Sequence, residues 1–447
     1  MSNLQTYVVF AVFAAVILAI AFDAIDMVLA VLLGVSALAV SGVFATHDIL
    51  EITRKADGPI ALLFGGMVVA RTLQPTGIFD YVGTQFLRAI QGSGKRFILG
   101  LFVLVAPICA ILPNATTVIL VAPIIIRVAV ALEVDIVGPM VLTAIISNSS
   151  GLLTLVGDPA TFLVGSSIGM TFTGYLRQVS LGGLLSLLVL IPLMPWVMKD
   201  VWRVRRPLPA DLKAKPLQRP LLCLCSLLVL AGMVLLFVIG EWLPTRIIPP
   251  AVAIIGATLA LLVTYSAKVE PVENVLHDVD WRTLVFLICL FGLVEAFSRT
   301  GVLHIVSQYL YSRFGTNLVV VGLVVLAGVG VASSLLANIP VVAAMLLMVK
   351  SYLVIAALVP EGALGPTFTE WPRDVLPVFV AMMFGATLGG NATLIGASAN
   401  VVSAGICAAH GKRVTFATFM RYGVPLTLAQ LTVSALYVLG LFYLIGR

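Results

Sequence analysis

Charge is scarce in this chain. Lysine, arginine, aspartate and glutamate make up 10% of its 447 residues, against 61% hydrophobic residues. That is too little polar surface to coat a water-soluble body, so lipid must be the main solvent. Histidine is scarcer still: His47, His277, His304 and His410 lie in separate loops and cluster with no carboxylate or thiol, which argues against an embedded enzyme. The five cysteines (Cys109, Cys223, Cys225, Cys289 and Cys407) are scattered, and Cys223-Leu224-Cys225 falls inside an apolar run, so neither a disulfide framework nor a metal site is expected. The alternating ten-residue pattern of an outer-membrane barrel is missing, because residues 181–197 and 221–239 are continuously apolar. Helices are the remaining way to satisfy a backbone in lipid. Residues 2–5 lack the positive charge of a signal peptide, and the segment 7–22 is long enough to span, so it is expected to stay in the mature protein. The net charge of +6 comes from basic residues in loops between apolar segments, which points to membrane orientation rather than nucleic acid.

What is present is a series of apolar runs of about 20 residues, the length of one helical crossing. They predict an all-α polytopic membrane protein. In the first half, residues 1–198, spans are expected near 7–22, 26–45 and 59–75, then an apolar hairpin at about 97–132, an interrupted segment at about 138–166 and a span at 176–198. The second half, residues 220–447, offers 220–239, 247–265 and 282–299, a hairpin at about 317–357, an interrupted segment at about 373–409 and a last span at 422–445. Between them, residues 199–219 carry seven basic residues against Asp200 and Asp211, together with Pro207, Pro209 and Pro216, and read as a cytoplasmic linker. If each hairpin re-enters from its own side, Lys95, Arg96, Lys412, Arg413 and Arg421 are cytoplasmic too, and both termini are outside.

The two halves align with each other. Thr76-Gly77 matches Thr300-Gly301 at an offset of 300 − 76 = 224, and Asn114 matches Asn338 at the same offset, 338 − 114 = 224. Thr154-Leu155-Val156-Gly157 pairs with Thr393-Leu394-Ile395-Gly396, and Thr171-Phe172 with Thr415-Phe416. An odd number of crossings per half makes this an inverted repeat, whose substrate site is expected at the midplane where paired helices are interrupted.

Four interruptions follow. The hairpins carry Leu112-Pro113-Asn114-Ala115-Thr116-Thr117 and Ser333-Ser334-Leu335-Leu336-Ala337-Asn338-Ile339-Pro340 at their tips, where backbone groups are free and the asparagines add a donor and an acceptor each. The spans carry Ser147-Asn148-Ser149-Ser150-Gly151, running to Gly157-Asp158-Pro159, and Gly389-Gly390-Asn391-Ala392-Thr393, running to Gly396 and Asn400. Glycine and small hydroxyls let a helix unwind and a ligand approach backbone. Tight packing explains the glycines but not the asparagines beside them. The candidate substrate-binding residues are therefore Asn114, Thr116, Thr117, Asn148, Ser149, Ser150, Gly151, Asn338, Gly390, Asn391 and Thr393. Ionisable residues inside spans are costly and so are functional candidates. Asp158 is the candidate proton carrier and Glu295 a second coupling candidate. Arg71 stands at the position symmetric to Glu295, and for both a structural ion pair is an equal alternative.

Asn114-Ala115-Thr116, Asn148-Ser149-Ser150 and Asn391-Ala392-Thr393 are formal glycosylation acceptors but fall in membrane breaks. Gly92-Ser93-Gly94-Lys95-Arg96 has Arg96 where a phosphate loop needs Ser or Thr, so no ATP site and no cofactor are expected.

The run from Gly389-Gly390-Asn391 through Ala399-Asn400-Val401-Val402 resembles the signature of the ion transporter superfamily, and Gly157-Asp158-Pro159 fits it. More narrowly, residues 59–445 resemble the branch of bacterial arsenite-efflux permeases, related sodium/proton antiporters and the melanosomal P protein. The resemblance implies a scaffold plus a transport domain that moves elevator-fashion, with the hairpin tips and broken helices forming the site. Relatives in this branch commonly have Asp before the hairpin Asn, where this chain has Pro113 and Ala337. With that acid pair missing, a neutral solute is favoured, and trihydroxy arsenite and antimonite are neutral near pH 7. The expected function is secondary efflux of arsenite or antimonite, coupled to protons, from a multi-pass inner-membrane protein. A sodium/proton antiporter is the alternative, and a channel comes third. A homodimer and an ATPase docked on the cytoplasmic loops are partners the residues leave open.

Overall fold

The computed structural model describes residues 3–21, 25–44, 46–207, 217–365, 368 and 370–445; residues 208–216 of the linker lie outside the described residues. Among the described residues the chain is helical, with one isolated bridge, Ser93 to Arg205, and nine helices long and apolar enough to cross a membrane. The leading helices are Asn3–Ala21 and Met27–Val40. Each repeat then follows the same order.

Repeat 1 opens with Thr46–Leu73, turns at Gly77 and continues as Ile78–Ile90. Its hairpin has an outer arm, Gly94–Cys109, and an inner arm, Asn114–Leu132; its broken helix consists of Val137–Ser150 and Pro159–Ser167. The long span Phe172–Val197 closes it. Repeat 2 opens with Trp281–Ser298, turns at Gly301 and continues as Val302–Phe314. Its hairpin arms are Leu318–Leu335 and Asn338–Ile355, its broken helix Leu376–Gly389 and Ser398–Ala409, and its closing span Phe416–Ile445. Pro220–Ile239 and Pro249–Ser266 join the repeats.

The match extends to backbone angles. Gly77 and Gly301 both turn the chain with φ near +77° (+76° and +77°), a left-handed conformation that glycine adopts without steric cost. Five crossings separate the start of one repeat from the start of the next: Ala56–Thr76, the broken helix, Phe172–Val197, Pro220–Trp242 and Pro249–Ser266. An odd number turns the second repeat upside down.

The polar ties between distant segments obey this arrangement. On the linker side Arg71 holds Glu270 with two bonds, 3.0 and 2.9 Å, and Asp278 at 2.7 Å; Arg206 holds Glu133 at 2.5 Å and Lys412 holds Asp135 at 3.4 Å. On the opposite side Gln5 bonds the Gly42 carbonyl at 3.0 Å, the Phe172 amide donates to Glu241 at 2.5 Å and Lys350 donates to the Ser167 carbonyl at 3.1 Å. Each pair joins segments that the alternating crossings place on the same side.

The repeats are interleaved rather than stacked. Ser398–Ala409, from repeat 2, packs on the inner arm and first broken half of repeat 1, and Pro159–Ser167 packs reciprocally on the inner arm and first broken half of repeat 2. Ala399 and Cys407 are thereby buried in the core of the first hairpin, beside Leu101 and Ile125, and Phe419 of the closing span joins them. Thr46–Leu73 packs against Pro220–Ile239, Pro249–Ser266 and Trp281–Ser298, and this group also touches Pro159–Ser167 and Asn338–Ile355. Leu221, Leu228, Leu262, Leu436 and Leu444 remain exposed, as a lipid-facing surface requires.

Two helices, Ile78–Ile90 and Val302–Phe314, interrupt the expected order. They are amphipathic, with Leu87 and Ile90 buried in one and Leu303 in the other, and they link the opening span of each repeat to its hairpin.

Candidate functional site

The four interruptions converge. At the first hairpin tip Pro113 ends one arm and starts the next, since it cannot donate into a continuing helix. This leaves Asn114 at the first turn of the inner arm. At the first broken helix Asp158 caps Pro159–Ser167, accepting from the Ala160 amide at 3.2 Å, with Pro159 at the position where a missing N–H costs nothing. Thr154 Oγ1 donates to the Ala110 carbonyl and Thr393 Oγ1 to the Ser334 carbonyl, so each break is tied to its own hairpin tip by a symmetric threonine.

A second symmetric pair lies beneath the asparagines. Cys109 Sγ is 3.0 Å from Asn114 Oδ1 and 3.0 Å from the Ser147 carbonyl. Ser333 Oγ lies 2.7 Å from the Asn338 carboxamide and donates to the Ala386 carbonyl at 2.6 Å. The Asn338 orientation that satisfies its partners turns the amide nitrogen toward the Gly396 carbonyl at 2.9 Å and the Ala386 carbonyl at 3.2 Å. The glycines are required by closeness. A Cβ on Gly390 would lie 2.5 Å from the Asn338 carboxamide and 2.9 Å from the Gly396 carbonyl; one on Gly151 would lie 2.9 Å from Asp158 Cβ and 3.4 Å from Asn114 Oδ1.

The repeats are joined by side chains that, apart from the half-buried Asn114, are buried away from solvent. Asn114 Nδ2 donates to Asn148 Oδ1 at 3.3 Å. Asn148 Nδ2 in turn donates to Asn391 Oδ1 at 3.1 Å and Asn400 Oδ1 at 3.0 Å. Asn391 Nδ2 donates to Ser149 Oγ at 3.0 Å and Gln430 Oε1 at 2.9 Å. Asn400 Nδ2 satisfies the carbonyls freed by the second break, Gly390 and Thr393, both at 2.8 Å. At the first break the same need is met by Tyr175 and Ser180, whose hydroxyls donate to the Leu152 and Leu153 carbonyls at 3.2 and 2.7 Å. Thr387 Oγ1 donates across the repeats to Asp158 Oδ2 at 2.9 Å. Asp158 is the buried carboxylate of the described residues, 3% exposed.

Of the expected site residues, Asn114, Asn148, Ser149 and Asn391 share this network, Asp158 stands beside it against Gly151 with its own bonds to the Ala160 amide and Thr387, and Asn338, Gly390 and Thr393 border it. Ser150 is buried but spends its hydroxyl on the Ile146 carbonyl of its own helix, at 2.6 Å. Thr117 is buried with an unpaired hydroxyl, and Thr116 stands half-buried beside it. Glu295 is elsewhere: it pairs with Arg299 at 3.1 Å at the end of Trp281–Ser298, while Arg71 is taken by Glu270 and Asp278. Cys109, Ser147, Asn400 and Gln430 also join the network and Thr387 reaches Asp158; Ser147 and Asn400 lie within the interrupted runs, whereas Gln430 and Thr387 stand outside any motif. With the helix ends Ser150 and Gly389 equivalent (389 − 150 = 239), Asp158 falls on Ala397 and Asn391 on Leu152, so the polar centre is asymmetric.

A membrane-embedded, inverted-repeat core closed around a polar centre of broken helices defines a membrane transporter. A family model described as citrate transporter (CitMHS) matches residues 17–367, and the chain belongs to that family. It is 40% identical over 443 residues, 99% of both chains, to the uncharacterized transporter slr0753 of Synechocystis sp.. It is 28% identical to the human P protein, covering 99% of this chain and 60% of that one. The crystal structure of the YdaH transporter of Alcanivorax borkumensis superposes with a TM-score of 0.58 at 12% identity, over 89% of this chain and 87% of that one, and shares the fold. The resemblance to the ion transporter superfamily therefore holds.

Proposed function

We propose that the protein is a secondary active transporter that exports a small neutral oxyacid, of the arsenite and antimonite type, in exchange for protons. In this reading the hairpins and broken helices move as one transport domain along a scaffold of Thr46–Leu73, Pro220–Ile239, Pro249–Ser266 and Trp281–Ser298. The observation that carries it is the chemistry of the centre: a network of carboxamides and hydroxyls from both repeats with no cationic side chain among its members, and one buried carboxylate, Asp158, beside it. Carboxamides and hydroxyls both donate and accept, as a trihydroxy acid requires. Asp158 alone can carry the proton, and its bond to Thr387 links its protonation to the second repeat.

A carboxylate substrate is the second reading, favoured by the family's description and by four helix N-termini, at Asn114, Asn338, Pro159 and Ser398, that start in this centre. Helix N-termini suit oxyanions without any cationic side chain. Arsenite and citrate accumulation in an arsenite-sensitive, efflux-deficient bacterial strain, with and without the protein, separates the two. Lower arsenite accumulation is expected. Unchanged arsenite with altered citrate accumulation sinks the first reading and supports the second.

A further inference from the structure

Gln430 is fully buried in the closing span of repeat 2 and saturates three bonds. Its Nε2 donates to Ser149 Oγ at 2.7 Å and to the Ser186 carbonyl at 3.0 Å, and its Oε1 accepts from Asn391 Nδ2 at 2.9 Å. Ser149 belongs to the broken helix of repeat 1 and Asn391 to that of repeat 2, so this one carboxamide touches both breaks.

The packing of the closing spans explains why it can. Ser186 lies in the closing span of repeat 1 and Gln430 in that of repeat 2, and the bond between them marks where the two spans cross. One turn further on, Ser434 Oγ lies 2.9 Å from Ser186 Oγ. At this crossing repeat 1 presents a short hydroxyl and repeat 2 a long carboxamide, and the longer arm reaches from the crossing into the site.

We propose that Gln430 is a positioning residue for the substrate site: it holds Ser149 and Asn391 in mutual register, and through Asn391 it sets the orientation of Asn148 and Asn114. The inference rests on the site assignment above but not on the identity of the solute. Loss of its three bonds takes one partner each from Ser149 Oγ, Asn391 Nδ2 and the Ser186 carbonyl, and leaves the direct Asn391–Ser149 bond to hold that pair alone. The crossing of the closing spans keeps its second polar contact, Ser186 to Ser434, so the spans stay packed while the register is lost.

The test compares Gln430→Met, which keeps length and volume without donors, Gln430→Glu, which keeps only the acceptor, and Ser434→Ala, which removes the other polar contact at the same crossing. In proteoliposomes with arsenite as probe, Gln430→Met should raise KM about tenfold while the maximum rate changes less than threefold; Gln430→Glu should fall between, and Ser434→Ala should match the wild type. A second readout needs no substrate. Cys109 is buried and bonded to Asn114 and Ser147 in the same network. Its alkylation by N-ethylmaleimide, followed peptide by peptide in the purified protein, should quicken about tenfold in Gln430→Met and stay at the wild-type rate in Ser434→Ala. Wild-type Cys109 protection in Gln430→Met, or equal loss of protection in Ser434→Ala, overturns the assignment. A wild-type protein that carries no arsenite sinks the solute reading alone, since the alkylation rates still decide the role of Gln430.

Discussion

Gly390→Ala places a methyl group in the tightest part of the centre. The added Cβ would sit 2.5 Å from the Asn338 carboxamide and 2.9 Å from the Gly396 carbonyl. Carbon and its neighbours prefer roughly 3.5 Å or more, so about 1 Å must be found, and the Gly396 carbonyl belongs to backbone. The Asn338 side chain must therefore leave its partners Gly396, Ala386 and Ser333. Overpacking of this kind costs about 1–3 kcal/mol, which corresponds to a loss of roughly 5- to 150-fold in whatever equilibrium requires the intact tip. Gly405→Ala is the control: it lies in the second half of the same broken helix, a Cβ added there would meet nothing within 4 Å, and alanine should stabilise by up to about 1 kcal/mol. Solute affinity and melting temperature are measured on both variants in detergent and in proteoliposomes. Wild-type affinity in Gly390→Ala would refute the reasoning, because the hairpin tip would then not be held against the break.

Asn114→Ala and Asn338→Ala should each reduce transport severely at near-normal membrane expression, since each removes a buried bond worth about 1–3 kcal/mol; wild-type transport would take the hairpin tips out of the site. Hydrogen bonding and charge from Arg71 hold the half-exposed Asp278 carboxylate below the usual range. Its contribution is thus complete above the ordinary aspartate value of about 3.9 and is lost as pH falls through the lower folded value. The melting-temperature gap between wild type and Arg71→Met should be constant near neutral pH and narrow in that acid range; a gap indifferent to acid would show that the pair contributes nothing. Cysteines introduced at positions 209 and 411 should label from the linker side only, and labelling from opposite sides would undo the inverted arrangement.

The repeat was legible because its landmarks are local: a glycine that must turn with positive φ, an asparagine after a helix breaker, and a break written in Gly, Ser and Asn. Ile78–Ile90 and Val302–Phe314 were not legible as crossings or hairpin arms, because a search for unbroken apolar runs passes over helices that are apolar on one face only. Gln430 and Thr387 were missed for a different reason, and Cys109 reads in sequence as an ordinary packing thiol. Each stands outside any local motif, and only the folding together of segments distant in sequence, 243 residues apart for Asn148 and Asn391, gives it partners. Arg71 and Glu295 are equivalent in the repeat, yet inversion puts them at opposite membrane faces, where each takes a local partner.

Asp158→Asn in proteoliposomes separates a proton carrier at Asp158 from a helix cap. Asparagine preserves the shape, can still cap Pro159–Ser167 and can still accept from Thr387, so it removes the ionisable group and little else. The account predicts that Asp158→Asn binds arsenite like the wild type but moves none in response to an imposed pH gradient. Full gradient-driven transport by Asp158→Asn would contradict it, leaving the residue a helix cap and the proton site elsewhere, with Glu295 the next residue to substitute.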